Sequence, residues 1–305
     1  MSKSLVALPM LDCSSTLRYN RVMISPEEEE YVLARAYVPE HILNLMVPIS
    51  KGEAFLAEEY LYFAHDNWLI FVGYPLDKAF SAARCEAVAQ QAVDALQPEY
   101  LWFIGPEMPP VLSTACQERQ SDGYYKLDLA TLQPKPSLLR QAENAAQEAR
   151  VEIARTFTRH HAALVTEFLK RENLPPMAHE LYRAMPDYVA ASSTAAVLSA
   201  YDKEDRLTAL FVVELAAGTF ATYVLGCYSR KHYVAHASDL LFREMIGLAK
   251  KEGKNYINLG LGVNAGIKRF KEKWGAVPFL AYEFFERTFQ RKKRAPLLRL
   301  LEGKL

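Results

Sequence analysis

The feature that most constrains the fold is a run of alternating strands and helices over residues 194–285. Three β-branched and aromatic stretches, at 194–201, 207–215 and 220–228, are separated by two short turns, which predicts an antiparallel meander. Helical and strand periodicity then predicts a helix at 238–251, a strand at 256–261, a helix at 264–274 and a strand at 278–285. This order predicts a mixed sheet with helices packed against it, an α/β fold with α+β character.

The first half of the chain repeats a related order of elements. Its predicted elements are helices at 25–36, 40–46, 81–96 and 111–116, and strands at 54–64, 68–74, 100–104 and 123–129. The second half begins with a strand at 151–157 and helices at 159–171 and 175–185. A length of 305 residues fits two domains. The proline-containing segment 133–137 suggests an N-terminal domain at 1–136, a C-terminal domain at 137–286 and a basic tail at 287–305.

Composition narrows the classes of protein to which the chain can belong. Lys and Arg number 36, as do Asp and Glu, which argues against binding to DNA by bulk charge. No apolar run approaches the length of a membrane span, and the start of the sequence does not have the pattern of a signal peptide. The four cysteines are far apart and form no C-x-x-C pair, which predicts reduced thiols in a cytoplasmic protein and no zinc site.

The last predicted helix carries the motif Asn264-x-x-Ile267-x-x-Phe270-Lys271-x-Lys273-x-Gly275. This spacing resembles N-x-x-A-x-x-[FL]-Y-x-K-x-G, the closing motif of the GNAT acyltransferase superfamily. Residues 270–275 look most like the Fem-type branch, which contains peptidoglycan-bridge aminoacyltransferases and related tandem-GNAT proteins. The resemblance covers most of residues 150–285, whereas the first half shows only the related element order. It implies two GNAT-like domains in tandem, the first of them degenerate.

The resemblance also implies where a donor binds. In GNAT folds the strand before the last helix splays from its neighbour and opens a cleft for a thioester or ester acyl donor. Here that opening is expected near Leu259, Gly260 and Gly262, whose backbone would line the donor and stabilise the tetrahedral oxyanion. The two glycines also fit a simple turn into the next helix. Asn264 either binds polar groups of the donor or only caps the last helix.

The loop before the long helix departs from the pattern [QR]-x-x-G-x-[GA] that binds the diphosphate of CoA in standard GNAT enzymes. The aligned residues are His232, Tyr233, Val234, Ala235, His236 and Ala237. Only Ala237 is allowed by the pattern, and the methyl group of Ala235 hinders the approach of a phosphate. Acetyl-CoA or another acyl-CoA is therefore a doubtful donor, and aminoacyl-tRNA, which Fem-type members use, is the alternative.

Candidate catalytic residues follow from the same alignment. Lys271 takes the place of the tyrosine that protonates the leaving thiolate, a role that a lysine performs only if its pKa is lowered. Lys268 shares its helical face, so the two lysines alternatively bind a phosphate or form a solvated basic face. His232 and His236 are the candidates for the general base, although they also fit an irregular surface loop.

The sequence thus predicts an N-acyltransferase that moves an acyl or aminoacyl group onto an amine of a small molecule or peptide. The alternative is a catalytically degenerate tandem-GNAT protein that acts as a ligand-binding module. tRNA is a further expected partner. The basic tail is expected either to make weak contact with a membrane surface or RNA, or to be a solvated terminus. No histidine pair has the spacing of metal ligands, so no metal is expected.

Overall fold

The computed structural model describes residues 24–172, 174 and 176–289, and within them the chain forms eight α-helices and eleven β-strands. The helices are α1 (Pro26–Arg35), α2 (Leu43–Ser50), α3 (Ala82–Leu96), α4 (Pro136–Glu148), α5 (Arg159–Arg171), α6 (Pro176–Ala191), α7 (Ala237–Lys251) and α8 (Ala265–Lys273). The strands are β1 (Glu53–Ala57), β2 (Tyr60–His65), β3 (Trp68–Val72), β4 (Tyr100–Gly105), β5 (Glu118–Asp128), β6 (Ala149–Ala154), β7 (Ala195–Asp202), β8 (Leu207–Glu214), β9 (Phe220–Tyr228), β10 (Tyr256–Leu261) and β11 (Val277–Thr288). Two 3₁₀ turns lie at Pro39–His41 and Leu112–Ala115.

All eleven strands belong to one sheet, in the order β1-β2-β3-β4-β11-β5-β10-β9-β8-β7-β6. The pairs β3–β4 and β9–β10 are parallel, and the remaining neighbours are antiparallel. The predicted mixed sheet and the meander β7–β8–β9 are therefore confirmed. Strands of the two halves interleave, because β11 lies between β4 and β5, and β5 lies between β11 and β10. The domain division after residue 136 stays a prediction.

Local sequence signals account for several helix boundaries. Ser25 caps α1 by accepting a hydrogen bond from the Glu28 N–H, and the Glu28 carboxylate accepts one from the Ser25 N–H, which completes a capping box. Asn264 Oδ1 accepts a hydrogen bond from the Ile267 N–H at 2.9 Å and so caps α8. Each cap satisfies backbone donors that the first turn of a helix leaves without partners.

Several predicted boundaries were wrong, and three of the differences are informative. The strand predicted at 54–64 is two strands, because the chain reverses at Glu58, which adopts a left-handed conformation with φ 51° and carries no turn-forming side chain to announce it. Helix α6 continues through Pro186 to Ala191. Strand β5 begins at Glu118, where a charged and polar stretch hides the strand pattern.

The sheet has a helix-covered core on each face. On the face that we call the front, α4 and α7 pack on β7–β10 through residues such as Leu138, Leu241 and Met245. On the opposite face, the back, α5 and α6 pack through residues such as Leu164 and Tyr188. Because side chains alternate along a strand, the residues that β9 and β10 contribute to each core show on which face their polar side chains lie.

Candidate functional site

The parallel strands β9 and β10 separate partway along their length. They pair only over residues 220–222 and 256–258, although β9 continues to Tyr228 and β10 to Leu261. Beyond this point β9 stays paired with β8, whereas β10 continues beside β5, with Leu261 opposite Tyr124. Irregularities in both outer pairings accompany the separation, and Gly260 adopts a positive φ of 70°. We call the resulting opening between β9 and β10 the fork.

Two buried polar side chains lie at the base of the fork. Thr222 and Asn258 form the last paired position of the two strands, and they are 2% and 0% exposed. They alternate with Ala221 and Ile257 of the front core, so both side chains lie on the back face. Asn258 Oδ1 accepts a hydrogen bond from the Gly260 N–H at 2.9 Å, but Asn258 Nδ2 and Thr222 Oγ1 have no hydrogen-bond partner among the residues that the structure describes.

Such unpaired atoms matter because leaving a buried polar group without a partner costs about 1–3 kcal/mol. Their position at the point where two strands separate is suited to an extended ligand that carries an amide or ester group. Neither residue was predicted from the sequence. The available signal was a polar side chain in the middle of each of two otherwise apolar strands, at Thr222 and at Asn258.

Lys271 is buried at the C-terminal end of α8, at 4% exposure. Its Nζ donates a hydrogen bond to the Leu261 carbonyl oxygen at 2.5 Å and lies 5.5 Å from the centre of the Tyr125 ring. Burial lowers the pKa of Lys271 to about 7, and the negative charge of Asp122 works in the opposite direction. The amine therefore gains and loses its proton near neutral pH.

Asp122 links the two lysines that the sequence placed on one helical face. Its Oδ1 is 4.0 Å from Nζ of Lys268, and its charge also acts on Lys271. Asp122 Oδ2 accepts a hydrogen bond from the Val263 N–H at 2.8 Å, which fixes the carboxylate at the start of α8. Asp122, Lys268 and Val263 line a cavity between β5, β11 and α8. Asp122 was not predicted from the sequence, because it lies in the part of β5 where polar residues hide the strand pattern.

The predicted donor-lining residues are placed around the end of β10. Leu259 is 1% exposed and packs in the front core, whereas Gly260 forms the bend of the fork. At Gly262 a Cβ atom would collide with the Lys268 side chain, so the backbone and that lysine are in close contact. Asn264 takes part in the helix cap described above.

The loop between β9 and α7 is held by a carboxylate from α5. Glu167 accepts hydrogen bonds from the Ser229 hydroxyl at 2.8 Å and from the Arg230 N–H at 2.7 Å, and the Lys231 N–H lies 3.4 Å away. Burial raises the pKa of Glu167, but these hydrogen bonds outweigh it and leave the pKa below its usual value. The His232 N–H donates to Ser229 Oγ at 3.0 Å. An internal anion therefore already occupies part of this loop.

A second carboxylate lies in the first turn of α7. His236 is the N-cap residue in a left-handed conformation, and its Nδ1 is 3.2 Å from Asp239 Oδ2. Asp239 is buried, and its Oδ1 is 2.6 Å from Lys273 Nζ and 3.0 Å from Trp274 Nε1. These contacts place His236 in a different cluster from Lys271.

These two carboxylates bear on whether a CoA diphosphate fits the loop. In standard GNAT enzymes that group binds at the N-terminus of the helix corresponding to α7. In this chain the helix begins with Ala235 exposed, Ala237 buried and Asp239 close by. A diphosphate bound there would meet the alanine methyl groups and would have to displace Glu167, which already accepts hydrogen bonds from the backbone N–H groups of the loop. The loop therefore does not fit a diphosphate bound in the standard way.

Three further observations concern metal ions, membrane-spanning helices and cysteine thiols. Among the described residues, no group of three or more His, Cys, Asp or Glu side chains is arranged to hold a metal ion. Within residues 24–172, 174 and 176–289, no helix combines the length and the apolar character needed to cross a bilayer. Cys85, Cys116 and Cys227 are free thiols. Cys13 and the tail beyond Phe289 lie outside the described residues.

Comparison with known proteins identifies the fold. FemX aligns with a TM-score of 0.58 at 10% identity, over 90% of this chain and 98% of that chain. L-PGS from Bacillus licheniformis aligns with a TM-score of 0.55 at 16% identity, over 92% and 96%. A tandem GNAT protein from the clavulanic acid biosynthesis pathway aligns with a TM-score of 0.50 at 10% identity, over 88% and 97%. No protein-family model and no curated protein matches the sequence. The chain has a tandem GNAT fold with Fem-like resemblance, as its closing motif predicted.

Proposed function

We propose that the protein transfers an acyl or aminoacyl group from an activated donor to an amine. The observation that carries this proposal is the fork, with its unpaired Thr222 and Asn258 side chains. An extended acyl group fits between strands that no longer pair, where its carbonyl meets unpaired polar groups. In this proposal backbone N–H groups near Leu259 and Gly262 stabilise the oxyanion that forms during transfer, because the Gly260 N–H already donates to Asn258 Oδ1. Preorganised donors of this kind are worth about 10²–10³-fold in rate.

Lys271 is the proposed proton carrier. During transfer the amine nitrogen forms a bond with the donor carbonyl carbon, and the bond from that carbon to the leaving oxygen or sulfur breaks. The leaving group gains a proton while the amine loses one. An ammonium group with a pKa of about 7 delivers the first proton readily and can be restored by the second. The role of His232 or His236 as general base stays a prediction.

The loop before α7 supports an aminoacyl ester as the preferred donor. Glu167 already accepts hydrogen bonds from the N–H groups that a CoA diphosphate would need, whereas an aminoacyl ester presents its reactive carbonyl without requiring that contact. The resemblance to the Fem-type branch, whose donor is aminoacyl-tRNA, agrees with this choice. An acyl-CoA whose diphosphate binds elsewhere on the surface is the competing donor.

The donor is tested by titrating the full chain with acetyl-CoA, a long-chain acyl-CoA and a mixture of aminoacyl-tRNAs, and measuring Tm. A ligand at a hundred times its Kd stabilises the folded state by about 2.7 kcal/mol, so a true donor gives a clear shift. We expect aminoacyl-tRNA to raise Tm more than uncharged tRNA does. A shift with acyl-CoA alone would select the thioester, and no shift with any donor would overturn the proposal.

The role of Lys271 is tested by turnover once a donor is found. Lys271→Ala should lower kcat by about 10²-fold or more, since general acid catalysis contributes about 10²–10⁴-fold. Arg269→Ala is the matched control, because Arg269 is an exposed cation on the same helix. Equal turnover of Lys271→Ala and the control would remove Lys271 from the reaction.

A second candidate function is ligand binding without catalysis. The observation that favours it is that Glu167 already accepts hydrogen bonds from the β9–α7 loop, where standard GNAT enzymes bind the diphosphate of their donor. In that case a donor would stabilise the protein, but no transfer to any amine would occur. The same titration, followed by an assay for the amide product, separates the two functions.

A further inference from the structure

A cavity lies where β10 ends and β5 continues without it. Strand β10 ends at Leu261, opposite Tyr124, whereas the part of β5 from Gly123 back to Glu118 pairs with β11 alone among the strands that the structure describes. One edge of β5 is therefore open over this length. Residues of β5, β11 and α8, together with the loop between β10 and α8, enclose about 470 Å³ there. A cavity of this size holds a small ligand.

Two opposite charges line this cavity without forming a hydrogen bond. Asp122 Oδ1 and Lys268 Nζ are 4.0 Å apart, which is too long for a hydrogen bond. The ammonium group of Lys268 has three donors, and its ion pair with Asp122 uses none of them in a hydrogen bond. The Asp122 side chain is 10% exposed, whereas that of Lys268 is 45% exposed. Both charges are thus available to a ligand that enters the cavity.

The Asp122 carboxylate is held in position by the backbone. The Gly123 N–H donates to Oδ1 at 2.8 Å, and the Val263 N–H donates to Oδ2 at 2.8 Å. Each carboxylate oxygen accepts more than one hydrogen bond, so both retain capacity for a further donor. The carboxylate is therefore oriented before any ligand arrives, which lowers the entropy that binding has to offset.

The loop between β10 and α8 is shaped to bring the two charges together. A Cβ atom at Gly262 would collide with the Lys268 side chain and crowd Asp122 Oδ1, so only glycine lets both side chains lie against the backbone at this point. The next residue, Val263, has a φ of 57°, which is rare for a β-branched residue. Strained residues of this kind occur mainly at ligand sites. Here the strained residue donates to Asp122 and lines the cavity.

The paired charges select a ligand that carries both signs. A simple amine would be attracted to Asp122 but repelled by Lys268, and a simple carboxylate would have the opposite difficulty. An α-amino acid has an ammonium group and a carboxylate on the same carbon. Its ammonium group can donate to Asp122 while its carboxylate accepts from Lys268, and both hydrogen bonds are charge-assisted.

Apolar side chains border the same cavity. Val263 and Pro278 line it, and Val277, which precedes Pro278, is 57% exposed. Val263 is itself 53% exposed. Covering such surface favours a ligand whose side chain is apolar.

We propose that this cavity binds a free α-amino acid with an apolar side chain, whose ammonium group binds Asp122 and whose carboxylate binds Lys268. The site goes beyond the proposed acyl transfer, because it requires neither the fork nor a donor. Binding alone therefore tests it.

The test is isothermal calorimetry of the full chain with three probes at neutral pH and matched ionic strength. The probes are L-leucine, 3-methylbutylamine, which lacks the carboxylate, and 4-methylpentanoate, which lacks the amino group. We expect leucine to bind at least tenfold more tightly than either analogue, since one hydrogen bond to a charged group contributes about tenfold or more in affinity.

Two variants assign the charges to their partners. Lys268→Gln should reduce the affinity for leucine to about that for 3-methylbutylamine, and it should not weaken binding of this amine. Asp122→Asn should reduce the affinity for leucine to about that for 4-methylpentanoate. Arg269→Gln, which removes an exposed cation of the same helix, is the control and should bind leucine as the wild type does.

Circular dichroism checks that each variant is folded. Lys268→Gln changes a half-exposed side chain and decides the question by itself if Asp122→Asn does not fold. Absence of leucine binding, equal binding of leucine and both analogues, or unchanged leucine binding by Lys268→Gln would overturn the inference. Leucine binding that needs Lys268, together with no binding of any donor, would support this site and refute acyl transfer. Turnover of a donor without leucine binding would refute the site and leave the transferase intact.

Discussion

The burial of Lys271 is the clearest case in which one residue's surroundings change its chemistry. An exposed lysine is charged at neutral pH, but Lys271 is 4% exposed and retains mainly a backbone carbonyl and a ring face as neighbours of its amine. Burial lowers its pKa from the usual 10.5 to about 7. A lysine that functions as a proton carrier needs this shift, and the same shift has a consequence for stability.

We predict that Lys271→Met changes the pH dependence of unfolding. Between pH 7 and 10.5 the unfolded chain binds a proton at Lys271 that the folded chain does not, so the stability of the wild type rises with pH in that window. Below pH 7 the full penalty for burying the charge applies. The stability of the variant relative to the wild type should therefore be greatest at pH 6 and fall as pH rises, by up to about 1.4 kcal/mol per pH unit.

Chemical denaturation at pH 6, 8 and 10 measures this difference. Lys250→Met, which removes an exposed lysine of α7, serves as the control and should differ from the wild type by a nearly constant amount. A flat difference for Lys271→Met as well would show that the amine keeps an ordinary pKa in the folded protein.

Some of the side chains at the site were predicted from the sequence, and others were not. Lys271 and Lys268 were found because their helix carries a spaced motif. Thr222 and Asn258 were missed, because a single polar residue within an apolar stretch has no periodicity and becomes informative only when its partners are known. Whether a polar group is paired is a property of the folded chain, and no local pattern encodes it.

At the level of elements, the bend of β10 at Gly260 helps to separate the strands of the fork. A φ of 70° is accessible to glycine but costs other residues roughly 1–2 kcal/mol. A Cβ atom at Gly260 would meet no other atom within 4 Å, so steric crowding does not explain the glycine, and backbone conformation does.

We predict opposite effects for two glycine-to-alanine changes. Gly260→Ala should destabilise the protein by about 1 kcal/mol through backbone strain. Gly247→Ala, in the middle of α7 where a Cβ atom also meets nothing within 4 Å, should stabilise it by about 0.5–1 kcal/mol through helix propensity. Midpoints of urea unfolding measure both changes. A stabilising Gly260→Ala would show that β10 does not need the positive φ to bend.

The sequence predicted most elements but not all of their limits. The strands Phe220–Tyr228 and Tyr256–Leu261 and the helix Arg159–Arg171 have the predicted bounds, because their periodicity is strong and their ends carry turn or cap signals. The reversal at Glu58 was missed because the turn contains no glycine, proline or asparagine. Strand packing on both sides determines that turn, and local composition does not.

At the scale of the whole molecule, the interleaved strand order joins the two halves into one sheet. Strand β5 has neighbours only from the second half, β10 and β11, whereas β11 also pairs with β4. Element order alone allowed two separate sheets, since it does not say which strands pair across the halves. The continuous sheet implies that neither half is stable when the other unfolds.

We predict a single cooperative unfolding transition. Trp68 and Trp102 report on the first half, and Trp274 reports on the second. Fluorescence of Trp274→Phe, which follows the first half alone, should give a midpoint that coincides with the midpoint from far-UV circular dichroism of the same variant. Two separated midpoints would show that the halves unfold independently despite their shared sheet.

The place of β11 in the sheet also bears on how the protein is made. This strand is the last of the described chain, yet it lies between β4 and β5, both synthesised more than 140 residues earlier. During translation, the edge of β4 that pairs with β11 therefore stays unpaired until residues 277–288 have left the ribosome. Contacts this distant in sequence slow folding, and an exposed strand edge invites association with other chains. Ribosome-bound intermediates of this protein should consequently depend on chaperones that shield such edges until synthesis ends.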